Sequence, residues 1–331
     1  MREIVEKRSE LLATNQAIMN KSFILEHSLT NAVVAASFAE EDRTVDVELI
    51  KEAKKVLKEK TGVFSDFRSY NEITVSARMA LSGNPEKYIN ELIEVYNKLQ
   101  KGKIFGSSYR VLAAMSICDQ GKYSEADSLI EKTNEILKGM KKVHPFITSD
   151  EDTCFAVLLA MTDKSVEEIL TELEESYQIM KKNFAFHDNA VYSLTQVLTA
   201  YEGSAEEKCD KALKLFNAFK AAGAKYGKGY EFASLGSLID IDADEEELVS
   251  EIIDVADYLK GKKGFGMLDM GKETRLMFGT MLVSGAYLSG DYAANSSAIG
   301  SDIGRIVALQ TAIFVTMMIV MTTTAAATSS H

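Results

Sequence analysis

The sequence predicts an all-α protein of stacked helical hairpins, each about 40 residues long, α-solenoid-like and comparable in architecture to TPR or HEAT arrays. Three observations lead there. Aromatic residues recur at one phase, as Phe67, Phe105, Phe146, Phe186, Tyr226 and Phe265, 38–41 residues apart. Apolar positions between them follow the i, i+3, i+4, i+7 helix rule, and no run alternates with the period of two that marks a strand. Only 2 of the 331 residues are proline, so long helices can run uninterrupted.

Taken in order, residues 1–60 supply leading helices. MREIVEKRSELLATNQ opens one, and residues 45–60 form an amphipathic second. Residues 61–268 hold five hairpins, each reading as short helix, tight turn, long helix, connector. The short helices follow caps two positions after an aromatic residue: Ser69, Ser107, Thr148 and Asp188. Polar turns close them at Ser82-Gly83-Asn84, Asp119-Gln120-Gly121, Thr162-Asp163-Lys164, Glu202-Gly203 and residues 240–243. Long helices start at Asn84 before Pro85, and at Ser165 with Glu168, Ser204 with Glu207 and Asp244 with Glu247, which have capping-box spacing; Ser124 with Asp127 is a looser version. One face of each is apolar, as in Ile89, Leu92, Ile93, Tyr96 and Leu99, or Ile169, Leu170, Leu173, Tyr177 and Met180. A hairpin of this kind buries its second face only against a neighbour. Residues 269–331 form an irregular cap with an apolar terminal helix, and all three parts make one structural domain.

At three places the residues themselves look familiar: TGVFSDFRS (residues 61–69), FGSSYRVLAAMSI (105–117) and MKKVHPFITSDEDTCFAVLLA (140–160). The last is the most specific, with His144, Pro145 and Phe146 leading into Thr148, Ser149, Asp150, Glu151 and Asp152 and then Leu158, Leu159 and Ala160. Together they resemble a family of mostly Gram-positive bacterial proteins catalogued only as a domain of unknown function. The resemblance implies an all-helical protein without assigned activity and transfers no catalytic residues.

Composition narrows the function classes. Hydrophobic residues at 46% and charged residues at 26% describe a folded chain. Lys and Arg total 37 against 49 Asp and Glu, and the resulting −12 argues against nucleic acid as a partner. Cys118, Cys154 and Cys209 are odd in number and lack a CxxC pair, which suits reduced thiols. The N-terminus lacks the apolar core of a signal peptide, so a cytoplasmic protein is expected. The apolar run 306–321 falls short of the roughly 20 residues that span a bilayer. It is expected to be a buried helix, with membrane contact through 306–321 as the alternative.

Candidate sites are few, and no cofactor is expected. Gly266, Gly271 and Lys272 imitate a P-loop, but Glu273 replaces its Ser or Thr and no strand precedes it. Asp240, Asp242, Asp244 and Glu251 fall on calcium-loop positions 1, 3, 5 and 12, yet Glu245 stands where the bend requires glycine. His144, Asp150, Asp152, His187 and Asp188 sit on connectors of one predicted edge and are candidate metal ligands or proton carriers; acids there also serve as helix caps. Arg68 is expected to pair with Asp66 or Glu72, or with a partner's anion. The pairs Lys141 and Lys142, Lys181 and Lys182, and Lys262 and Lys263 complement helix dipoles, and in register they would line one edge as a basic ridge. The reading these features favour is a non-enzymatic scaffold with a groove for a protein or peptide. The alternatives are a metal-dependent enzyme near His144 and His187 and a scaffold tethered by its tail.

Overall fold

Long helices with one apolar face alternate with short helices that are apolar all round, and that contrast assigns each to a layer. The computed structural model describes residues 1–68, 70–266, 269–287 and 313–322. One set of helices comprises α1 (Glu3–Ser22), α3 (Val47–Lys60), α5 (Pro85–Gln100), α7 (Ala126–Val143), α9 (Val166–Lys181), α11 (Ala205–Ala221) and α12 (Glu245–Lys260). The other comprises α2 (Ser28–Glu40), α4 (Glu72–Leu81), α6 (Ser108–Asp119), α8 (Thr153–Ala160), α10 (Asp188–Thr199), a 3-10 segment (Tyr230–Leu238) and α13 (Lys272–Tyr287). A further helix, α14, covers 313–322. The described residues contain no strand.

Capping chemistry starts several helices where the sequence places it. Asn84 accepts from the Lys87 N–H (3.1 Å) with Pro85 in the first turn. Ser165 and Ser204 form reciprocal boxes with Glu168 and Glu207. Three expected caps differ. Ser124 and Asp127 form no box, because a 3-10 turn at Tyr123–Glu125 intervenes and α7 begins at Ala126. Ser149, not Thr148, caps the turn before α8, in a box with Asp152. Asp188 lies inside the first turn of α10 rather than capping it. Ser107 does cap α6, through the Tyr109 N–H (3.2 Å), and Ser69 lies outside the described residues.

Burial follows the two patterns. Helix α5 buries Tyr88, Ile89, Leu92, Val95, Tyr96 and Leu99 on one side. Helix α8 buries all eight of its residues, so it needs cover on every side. Its partner is the long helix that precedes it across the connector: α7 packs on α8, as α5 does on α6 and α9 on α10. The unit is therefore long helix, connector, short helix, half a period out of phase with the expected one. In this phase α1 and α2, and α3 and α4, are pairs like the rest. Where the sequence predicts an irregular cap after Phe265, the described residues include a regular helix, α13, packed along α12.

Neighbouring long helices touch in the order α1, α3, α5, α7, α9, α11, α12, and α12 touches α1 again. Among the short elements, α2 meets α4, α6 meets α8, and α10, the 3-10 segment and α13 follow, with α13 returning to α2. Helices α4 and α6 are tied at both ends: Asn71 donates to the Ser108 carbonyl (3.2 Å) and Arg78 to Asp119 (3.1 Å). Seven pairs among the described residues thus close into a two-layer ring instead of an open TPR- or HEAT-like stack. Closure buries the apolar flanks that the first and last pairs of an open stack leave exposed. Arg2 fastens it, donating through Nε to Glu251 (2.9 Å) while its guanidinium lies over the Tyr287 ring (3.5 Å). Helix α14 packs against α6 and α8, with Phe314 on Phe155 (5.0 Å between ring centroids) and Tyr109 donating to Met318 Sδ (3.0 Å). The described part of the apolar tail is thus core. Among the described residues no helix is long and apolar enough to cross a membrane.

Candidate functional site

Parallel pairs in a ring place every tight turn on one edge and every connector on the other. Side chains join several connectors to a neighbouring pair. Glu26 accepts from Lys54 (3.2 Å), Asp66 from Tyr96 Oη (2.5 Å) and Asp150 from Arg110 (2.6 Å). Phe184 stacks edge-on against Phe216 and Phe232 at 5.0 and 4.7 Å. On the opposite edge the turns are linked by Arg78 with Glu41 and Asp119, Lys132 with the Thr162 carbonyl, and Lys164 with the carbonyls of Thr199 and Tyr201.

The two edges differ in chemistry. Long helices begin at the turn edge with Glu86, Glu167, Glu206, Glu245 and Glu246. They end at the connector edge with exposed lysines, among them Lys60, Lys101, Lys142, Lys182 and Lys260, the polarity that the helix dipole favours. Beyond those lysines, five successive connectors each hold out a large apolar side chain. Leu25, Phe64, Phe105, Phe146 and Phe186 are 79–102% exposed and spaced 39–41 residues apart. This is the repeat phase that matters at the surface. The expected marker set mixes it with Phe67, Tyr226 and Phe265, which are buried.

These tips are held by the protein. Arg110 donates to the Phe105 carbonyl (2.8 Å), and Gln100 does the same at 2.9 Å. Lys141 donates to the carbonyls of Pro145 (2.6 Å) and Thr148 (2.7 Å) on either side of Phe146. Phe186 has φ +67°, a left-handed conformation uncommon for a bulky residue. Arg68 pairs with neither Asp66 nor Glu72. It closes the end of α3, donating to the Lys58 carbonyl and to Thr61 Oγ1 (3.2 Å), while Glu72 is taken by Lys54.

The titratable candidates spread along this edge instead of converging. His144 Nε2 lies 2.6 Å from Glu174 Oε2, and its ring packs edge-on against Tyr177 and Tyr192. Asp150 is bound by Arg110. Asp152 accepts from the Ser149 N–H and from Gln196 (both 2.7 Å), and burial pushes its carboxyl up from the usual range against those bonds. Asp188 accepts from Tyr177 (3.2 Å) and lies 3.7 Å from Lys181, whereas His187 flanks α10 without a side-chain cap bond. Among the described residues, no three His, Cys, Asp or Glu side chains are grouped to hold a metal ion. The calcium-like spacing fails in space as well: Asp244 caps α12, and Glu251 is buried against Arg2. Lys272 of the P-loop-like run reaches only the Gly223 carbonyl (3.4 Å), and residues 267 and 268 lie outside the described residues. Lys262 stands over the Tyr258 ring (4.2 Å) and Lys181 over the Tyr177 ring (5.3 Å); Lys263 is exposed.

A family model described as a protein of unknown function (DUF4003) matches residues 15–323. The chain belongs to this family. The chain is also similar to an uncharacterised protein, YeaA, of Bacillus subtilis (strain 168), 23% identical over 244 residues that cover 72% of each chain. No solved structure matches. Membership therefore assigns no activity, and the chemistry of the connector edge carries the functional reading.

Proposed function

We propose that this protein is a non-enzymatic docking scaffold whose working face is the connector edge, not a concave groove. The observation that carries the reading is the row Leu25, Phe64, Phe105, Phe146 and Phe186. Large apolar side chains held out at a constant spacing, with exposed lysines beside each, support an interaction face. The pairs act as tandem repeats that set this spacing, and closure makes the edge a fixed platform. The partner is attracted by lysines and seated by apolar rings. The test compares the full chain with a Phe105→Ser, Phe146→Ser, Phe186→Ser variant in extracts of its own cells. The native chain is expected in a large or membrane-bound fraction and the variant as free monomer. Identical fractionation of the two would contradict the scaffold reading.

A further inference from the structure

We infer that the connector edge docks on an anionic lipid surface, with its five apolar tips in the interfacial layer and the flanking lysines among the headgroups. The inference rests on the scaffold reading and names its partner. Each tip follows exposed lysines closely in sequence. Lys21 precedes Leu25, Lys58 and Lys60 precede Phe64, and Lys101 and Lys103 precede Phe105. Lys141 and Lys142 precede Phe146, and Lys181 and Lys182 precede Phe186. The whole chain is −12, so this cationic edge is local. Four of its acids are engaged within the fold: Glu26 by Lys54, Asp66 by Tyr96, Asp150 by Arg110 and Asp188 by Tyr177.

Helix dipoles account for a lysine in a last turn. They do not account for Lys103, Lys225 or Lys228, which stand beyond helix ends, nor for any apolar ring. Beside three of the tips a second apolar residue is exposed: Ile24, Val63 and Ile104. A cleft beside the third and fourth connectors is lined by Lys103, Asn134, Leu137, Lys138, Lys141 and Thr148, and none of the five tips lines it. A protein hot spot gathers its anchors into one dry patch ringed by other contacts. Spaced apolar knobs among lysines instead match a bilayer interface, which takes each ring singly and attracts basic charge. The strained backbone at Phe186 and the bonds bracketing Phe105 and Phe146 fix the rings outward before any surface is met.

The experiment is co-sedimentation of the full chain with phosphatidylcholine vesicles, with and without about 30% phosphatidylglycerol, in low and high salt. Binding is expected only with the anionic lipid, falling at least about tenfold in high salt as screening shortens the field. The triple serine variant, whose replaced rings are exposed and whose melting should match the native chain, is expected to bind at least about tenfold more weakly. Lys142→Glu with Lys182→Glu should abolish the preference for anionic vesicles. No binding to anionic vesicles, or equal binding by the serine variant, overturns the inference. If vesicles fail while the extract experiment still separates native chain from variant, the scaffold reading stands with a protein partner. If both fail, both fall.

Discussion

Two lysines share one carboxylate between α9 and α11, and that small cluster sets a clear expectation. Lys208, almost wholly buried, and Lys164 (2.8 Å) both reach Glu172, and both also donate to the Tyr201 carbonyl. Removing the one anion leaves two amines without their shared partner in a mostly buried site, where burial already pushes the Lys208 ammonium down to about 7. Glu172→Gln is therefore expected to cost roughly 3 kcal/mol or more in chemical denaturation. Glu48→Gln, which breaks an exposed pair with Lys51, should change stability by less than about 0.5 kcal/mol; equal costs would contradict the cluster's role. His27 gives a pH test. Partial burial holds its imidazole below the usual 6.5, and its Nδ1 accepts from the Leu29 N–H (3.2 Å), capping α2. As pH falls the unfolded chain takes the proton first, so the cap's contribution is complete above 6.5 and is lost as pH drops through the folded value. His27→Asn keeps an acceptor at every pH, so the variant should gain stability relative to the native chain between about pH 7 and about pH 5. A constant difference across that window would remove His27 from the acid sensitivity.

At the scale of the elements, α7 and α9 approach closely at Gly139, where a methyl group would sit 2.2 Å from Leu170 Cδ1. Gly139→Ala is expected to destabilise by about 1 to 3 kcal/mol despite its better helix propensity. Leu170→Ala in the same chain should relieve much of that, giving a coupling of about 0.5 to 3 kcal/mol in a double-mutant cycle. Additive losses would mean that the helices do not meet there. Much of this level was legible in the sequence. Pro85, Ser165 and Ser204 marked helix starts, and the apolar faces of α5 and α9 were read from spacing alone. The phase of the unit was not, because a 40-residue period has no intrinsic beginning. An aromatic residue at the right interval reads the same whether a neighbour covers it, as at Phe67, or not, as at Phe146. Glu174 holds His144, a bond across a sequence gap that periodicity does not reach.

At the scale of the whole molecule, closure was hidden for the same reason. The ties from Arg2 to Glu251 and Tyr287 join residues almost a chain length apart, and no local pattern encodes them. The basic edge was visible as lysine pairs. Its apolar row was not separable from core aromatics until burial divided them. Closure also gives the docking reading its geometry, since it holds all the connectors on one rim. The most direct measurement uses the N-terminal amine of Met1, which lies 3.8 Å from the Asp254 carboxylate on α12. Zero-length carbodiimide coupling of the full chain, with peptide mapping of the monomer band, should join Met1 to Asp254 alongside the Lys54–Glu72 pair of neighbouring helices. A map that contains the Lys54–Glu72 link and lacks Met1–Asp254 would show an open stack and contradict the ring.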